Sequence, residues 1–149
     1  MQRRTIPLAI TFAITAALVG GCGSQEEATQ SDIEKLQGTW VGQELGRDGQ
    51  VTIVFSGDTI AFQGAQPQEN YKGTVVLYED QSPKQADFTI TECSFPDYVG
   101  AVSKTIYKLD GNTFTFAGAE PGTETRPSSF EASRGNRVFQ LTLQPAETE

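Results

Sequence analysis

Histidine is absent from the 149 residues of this chain, and that single absence removes several chemistries. No Ser–His–Asp or Cys–His pair can form, and the commonest zinc ligand is missing. Cysteine is nearly absent as well. Cys22 and Cys93 are the only two, too few for a disulfide framework. Cys93 sits near Thr91 and Phe95 in a strand-like stretch. It reads as a small core hydrophobe with no base to activate its thiol. The chain also lacks a phosphate-binding loop and any long amphipathic helical pattern, so a parallel βαβ layout is excluded. Asp110-Gly111-Asn112 begins like a calcium loop, but Phe114 stands where a ligand oxygen is required, leaving a hairpin turn. Glu26-Glu27 and Glu79-Asp80 read as solvated acids, because adjacent carboxylates on an extended chain point apart. No metal, no cofactor and no enzymatic activity is expected.

Basic residues are scarce. Eleven Lys and Arg face nineteen Asp and Glu, and two of the basic residues, Arg3 and Arg4, lie in an N-terminal leader. Removing the leader leaves nine basic residues and a net charge of about −10. Such a surface repels nucleic acid and anionic head groups and favours a cationic partner or a neutral ligand.

The leader has three parts. Met1–Thr5 is basic, Ile6–Val19 is almost wholly apolar, and Gly20-Gly21-Cys22 is small. That is the anatomy of a secretory signal peptide. Val19-Gly20-Gly21-Cys22 resembles the lipobox of bacterial lipoproteins. The resemblance implies cleavage after residue 21, lipid on Cys22 and a lipid-anchored protein of the cell envelope, facing the periplasm or on the outer membrane. Gly23 rather than Asp after the cysteine permits outer-membrane sorting. An uncleaved anchor is the alternative, since Thr5–Gln25 carries no charge. Its last six residues, mostly Gly, Ser and Gln, suit a spanning helix poorly. Arg3-Arg4 hints at twin-arginine export, but the flanking residues match that signal badly.

Residues 22–31 are small, polar and acidic, a flexible tether. Asp32 is placed to cap a helical turn through Leu36. From there the period changes to two. Strands are expected at Gly38–Leu45, Val51–Phe55 and Thr59–Gln63 joined by Ser56-Gly57-Asp58, Tyr71–Tyr78, Asp87–Thr91, Lys104–Leu109 and Thr113–Phe116 joined by Asp110-Gly111-Asn112, and Arg137–Leu143. Gln63–Asn70, Glu79–Gln85 and Ser94–Val102 are loops. Ala117–Asn136 has little periodicity, and Ser128–Ala132 within it reads as a helical turn or an extra strand. Residues 144–149 are a frayed tail. The fold class is all-β: eight sequential antiparallel strands closing into a small up-and-down barrel over residues 32–143, with a flattened sandwich as the alternative.

Asp32-Ile33-Glu34-Lys35-Leu36-Gln37-Gly38-Thr39-Trp40, Phe55-Ser56-Gly57-Asp58, Ile106–Thr113 and Arg126-Pro127-Ser128-Ser129-Phe130 resemble, in order, the landmarks of uncharacterised lipocalin-like domains abundant in planctomycete bacteria. The resemblance spans roughly Asp32 to Leu143. It implies a lipocalin-like barrel and supplies no activity and no catalytic residues. Gly38-Thr39-Trp40 also resembles the first signature of true lipocalins, which implies that Trp40 closes the barrel base with a basic side chain on it. Arg126 is the candidate for that side chain, over Trp40 or paired with an acid at the closed end. Pro127 and Phe130 pin its segment, and Arg134 and Arg137 are rivals.

Two functions remain. The first is a non-enzymatic interaction module, scaffold or inhibitor-like, meeting an envelope protein through loops at one barrel end. The alternative is a small apolar ligand inside the barrel. Gly42, Gly73 and Ala61, if inward, would leave it room; Phe55, Phe62, Phe114 and Phe116 would fill the space. Eight short strands favour a filled barrel, and clustering of the three long loops favours the interaction module.

Overall fold

The computed structural model describes residues 29–147. The leader 1–21, Cys22 and most of the tether lie outside the described residues. Eight antiparallel strands form a closed barrel in sequential order: β1 (Gly38–Glu44), β2 (Val51–Ser56), β3 (Thr59–Gln63), β4 (Asn70–Tyr78), β5 (Lys84–Cys93), β6 (Val102–Asp110), β7 (Thr113–Ala119) and β8 (Asn136–Leu143). β8 closes on β1 in the register Trp40↔Leu143 and Glu44↔Phe139, so no sheet edge is left unpaired. Among the described residues no helix is long and apolar enough to cross a membrane.

Alternation sorts the side chains. Val51, Ile53 and Phe55 are buried while Val54 and Ser56 are exposed. The inward set of all eight strands forms one core around Trp40, Phe55, Tyr107, Phe114, Phe116 and Phe139. Phe114 is its hub, with Trp40, Phe55 and Tyr107 meeting its ring edge-on at centroid distances of 5.8, 5.8 and 6.0 Å. Each buried ring or branched side chain contributes on the order of 1.5–3 kcal/mol.

A five-residue helix, α1 (Asp32–Leu36), lies across one end. Its N-cap is Ser31, whose backbone N–H and hydroxyl both donate to Glu34 at 2.8 Å. Asp32, expected as the cap, instead turns its carboxylate into the barrel. The Gln37 side chain clamps the β2–β3 turn, accepting from Gly57 N at 2.7 Å and donating to Gly57 O at 2.9 Å. Gly38 then takes φ +116°, a backbone that side-chain-bearing residues rarely adopt, and turns the chain into β1. Leu36 is fully buried and its carbonyl accepts from the Trp40 indole at 2.7 Å. Helix and indole together plug this end.

Several strand bounds and the long loop differ from expectation. β5 begins three residues before Asp87 and runs on to Cys93, β6 begins two residues before Lys104, and β7 runs on to Ala119. Ser128–Ala132 is neither helix nor strand; only Ser133 bridges, to Asn136. The loop between β7 and β8 is a strap on the outer wall, where Phe130 packs on an apolar patch of Ile106, Ala117 and Val138. That patch faces away from the barrel interior, and covering it explains why a twenty-residue stretch without periodicity holds its place.

Candidate functional site

The closed end is held by a buried carboxylate. Asp32, 2% exposed, accepts from Lys84 Nζ at 2.6 Å, Tyr107 OH at 2.9 Å and Lys35 Nζ at 3.2 Å, and its own backbone N–H donates to Glu79 at 2.9 Å. Burial works against its charge, but the three donors outweigh burial and hold its pKa below the ordinary carboxyl value. Burial and the bond to Asp32 push the Tyr107 phenol well above its ordinary value. These groups are consumed in one another and latch α1 to the barrel.

The other end is open. Four loops surround it, and below them the barrel interior holds a cavity of about 310 Å³. Its floor and walls are apolar: Ile53, Ile60, Phe62, Phe88, Ile90, Phe116 and Phe139 line it from five different strands. Phe116 and Phe139 stack at 4.6 Å, and Phe88 meets Phe116 edge-on at 5.9 Å. The room comes from β7. Gly118 is buried and lines the cavity, and a Cβ there would meet the hydroxyl oxygens of Ser103 and Thr105 at an ordinary 3.4 Å. The three small residues expected to leave space do not. A Cβ on Gly42 would strike Gln140 O and one on Gly73 would strike Thr89 O, so both glycines serve close strand approach. Ala61 is exposed on the outside. Phe55 and Phe114 fill the closed half, whereas Phe62 and Phe116, also expected to fill the space, line the cavity.

The mouth is polar and internally neutralised. Arg137, at the cavity edge, donates to both carboxylate oxygens of Glu44 at 2.9 and 2.7 Å and to Glu69 at 3.0 Å. Arg47 bridges the same two acids at 2.9 and 3.0 Å. Burial raises the cost of charging Glu69, but the two guanidiniums overcome it and hold its pKa below the ordinary value. Arg137 also lies over the Phe139 ring at 5.1 Å, joining the ion network to the apolar wall. Across the mouth Tyr98 donates to Glu120 at 3.0 Å, and that bond, then burial, raises the phenol's pKa. Tyr71 lines the cavity between Phe62 and Phe95, and burial raises its pKa too. Cys93 is half-buried at the end of β5, its thiol donating to Phe95 O at 3.0 Å. It belongs to the rim and not to the core.

The residues singled out in the sequence do not meet at one site. Gly38 and Trp40 sit at the closed end. Arg126, Pro127 and Phe130 belong to the strap on the outer wall. Arg126 pairs with Asp87 at 2.6 Å and donates to the carbonyls of Ala86 and Thr105 at 2.9 and 2.8 Å. Its acidic partner is therefore on the outside of β5, in the strap, and neither over Trp40 nor in the plug of the closed end, where the Trp40 ring is covered by Phe114. Pro127 is buried, and Lys108 lies 4.8 Å over the Phe130 ring. The basic groups at the closed end are Lys84 and Lys35, both on Asp32. Gly118, Tyr71, Phe88 and Tyr98 were not foreseen as site residues; only the small Ala117-Gly118-Ala119 run in an otherwise bulky strand signals the space.

Of the three long loops, two meet at the mouth, with Gln66, Gln68 and Glu69 facing Phe95, Asp97 and Tyr98 across a shallow polar groove. The third contributes only its two ends, Glu120-Pro121 and Arg134-Gly135. No family model, no curated protein and no solved structure matches the chain.

Proposed function

We propose that this chain is a lipid-anchored protein of the bacterial envelope, held through Cys22, whose lipocalin-like barrel binds a small, mainly apolar molecule through its open end. The observation that carries the ligand reading is the cavity of about 310 Å³. It falls at the lower limit of the volumes that hold small molecules, and it has their make-up of apolar walls with a few placed polar groups. The closed half is filled by aromatic side chains and so gives the cavity a floor. The module binds and does not catalyse, because the acids and guanidiniums at its mouth neutralise one another. The anchor rests on the Arg3–Cys22 leader, and membership of the planctomycete-type lipocalin-like family rests on the Leu36–Trp40, Ile106–Thr113 and Arg126–Phe130 runs.

A second reading, contact with an envelope protein, is favoured by Phe95 and Val99, which stand 38% and 51% exposed on the rim. Native mass spectrometry of the chain isolated from membranes of its own host separates the two. Ligand binding predicts one small molecule retained per chain and lost on unfolding. A polypeptide carrying only its anchor lipids and a protein partner contradicts it. The anchor is tested with Cys22→Ser, which should block cleavage and release the protein from membranes; unchanged processing and sedimentation contradict the lipoprotein reading.

A further inference from the structure

Resting on the ligand reading above, we infer that the molecule taken up is uncharged and built on a flat ring, with one polar group that accepts a hydrogen bond at the mouth. Size comes first. A cavity of about 310 Å³ divided by the roughly 30 Å³ that a water-sized group occupies gives about ten non-hydrogen atoms. That is one substituted ring or a small fused pair, and far less than a long acyl chain.

Shape follows from the walls. Phe62, Phe88, Phe116 and Phe139 surround the space together with Tyr71 and Tyr98. Rings meet rings favourably edge-on or offset, and this cavity presents both faces and edges. A flat ring entering it continues the existing order of edge-on Phe88–Phe116 and Phe62–Phe139 contacts, at 5.9 and 5.5 Å. A flexible chain of the same volume gains no such contacts and loses rotamer freedom.

Charge is settled by opposition. The barrel, residues 32–143, carries fifteen acids against nine bases, an excess of six negative charges, which repels anions from the mouth. Aromatic faces would welcome a cation, but the Arg134 guanidinium lines the entrance and repels it, and the acids there are already paired. Glu44 and Glu69 are taken up by Arg47 and Arg137, and Glu120 by Tyr98. A neutral molecule alone meets no opposing field. At the rim the polar group meets donors. Arg137 uses Nε and Nη2 on the two acids, leaving Nη1, and the Tyr71 hydroxyl enters none of the hydrogen bonds among the described residues.

The test uses the full chain in lipid nanodiscs and five probes of matched size: 1-indanone, indane, 4-methylbenzoate, 4-methylbenzylamine and 2-nonanone. Calorimetric titration is read as the difference from a Gly118→Leu chain, whose side chain takes up over a third of the cavity and leaves too little room for probes of nine or ten non-hydrogen atoms, so that uptake by lipid cancels. The expected result is 1-indanone binding about tenfold tighter than the open-chain ketone, the effect of about two ring contacts, and tighter than the acid or the amine, whose charges the entrance opposes. Tyr71→Phe should weaken 1-indanone several-fold and leave indane unchanged. Tighter binding of 2-nonanone or of either charged probe overturns the ligand class while leaving the cavity reading intact. Equal heats from the native and Gly118→Leu chains with every probe overturn the cavity reading itself.

Discussion

Gly118→Leu separates a binding cavity from a structural defect. Gly118 is buried in β7, faces the inward hydroxyls of Ser103 and Thr105 and borders the open cavity. The four carbons of a leucine side chain take up about 120 Å³ at roughly 30 Å³ each, over a third of the space of about 310 Å³. Replacing glycine within a strand contributes about 0.5–1 kcal/mol through the unfolded chain. Burying the new carbons adds up to about 0.8 kcal/mol each. Crowding at the 3.4 Å contacts and about 0.5–1 kcal/mol of lost rotamer freedom work against this. The net expectation is a domain more stable by about 1–2 kcal/mol, read as a higher urea midpoint at unchanged slope, that no longer takes up small apolar molecules. A loss of more than about 1 kcal/mol, the signature of overpacking, would mean that the space is not there. Unchanged uptake by a stabilised variant would place the binding site elsewhere.

Asp32→Ala leaves the Tyr107 hydroxyl and Lys84 without their partner at the closed end; stranding the buried phenol costs about 1–3 kcal/mol, and a thermal midpoint within error of the native chain would refute the latch. The same group sets a pH dependence. Asp32 titrates lower in the folded state than in the unfolded one, so its contribution is complete above the ordinary carboxyl value of about 4 and is lost as pH falls through the folded value. Tyr107 titrates higher when folded, so its contribution is complete below about pH 10 and is lost as pH rises beyond it. Urea titrations at a series of pH values should therefore show declines at both extremes, and Tyr107→Phe should flatten the alkaline one. Arg126→Ala removes the pair with Asp87 and leaves two strand carbonyls without their donor, a loss of about 1–3 kcal/mol. In a double-mutant cycle with Trp40→Phe the two losses should add, since one residue lies outside the barrel and the other inside; coupling above about 0.5 kcal/mol would contradict that placement.

The barrel was legible because each strand declares its face. Val51-Thr52-Ile53-Val54-Phe55 and Phe139-Gln140-Leu141 alternate cleanly, and short turns between strands leave up-and-down closure as the simplest way to pair both edges. The strand ends were less legible. Lys84 and Gln85 follow Ser82-Pro83 with only the small Ala86 beside them to mark their face, and Ala117-Gly118-Ala119 offers three small residues that reveal no inside or outside. The site was hidden for a related reason. Its space is the lack of a side chain at Gly118, and glycines at Gly42 and Gly73 look the same in sequence while serving close strand contact. Arg137 and Glu44 are 93 positions apart, and only the β1–β8 closure brings them to one rim. Arg126 reads in the sequence as an arginine held by Pro127 and Phe130, but the choice between inner plug and outer strap depends on the apolar patch of Ile106, Ala117 and Val138, which strict alternation would have left on the outside uncovered.

The most direct measurement is a crystal structure of the protein under xenon pressure, since xenon enters apolar space without needing any particular hydrogen bond. The account predicts xenon in the open half of the barrel, among Phe62, Phe88, Phe116 and Phe139, and none beside Trp40 and Phe114 in the filled half. A barrel with those four rings collapsed onto one another and no xenon between them would contradict it.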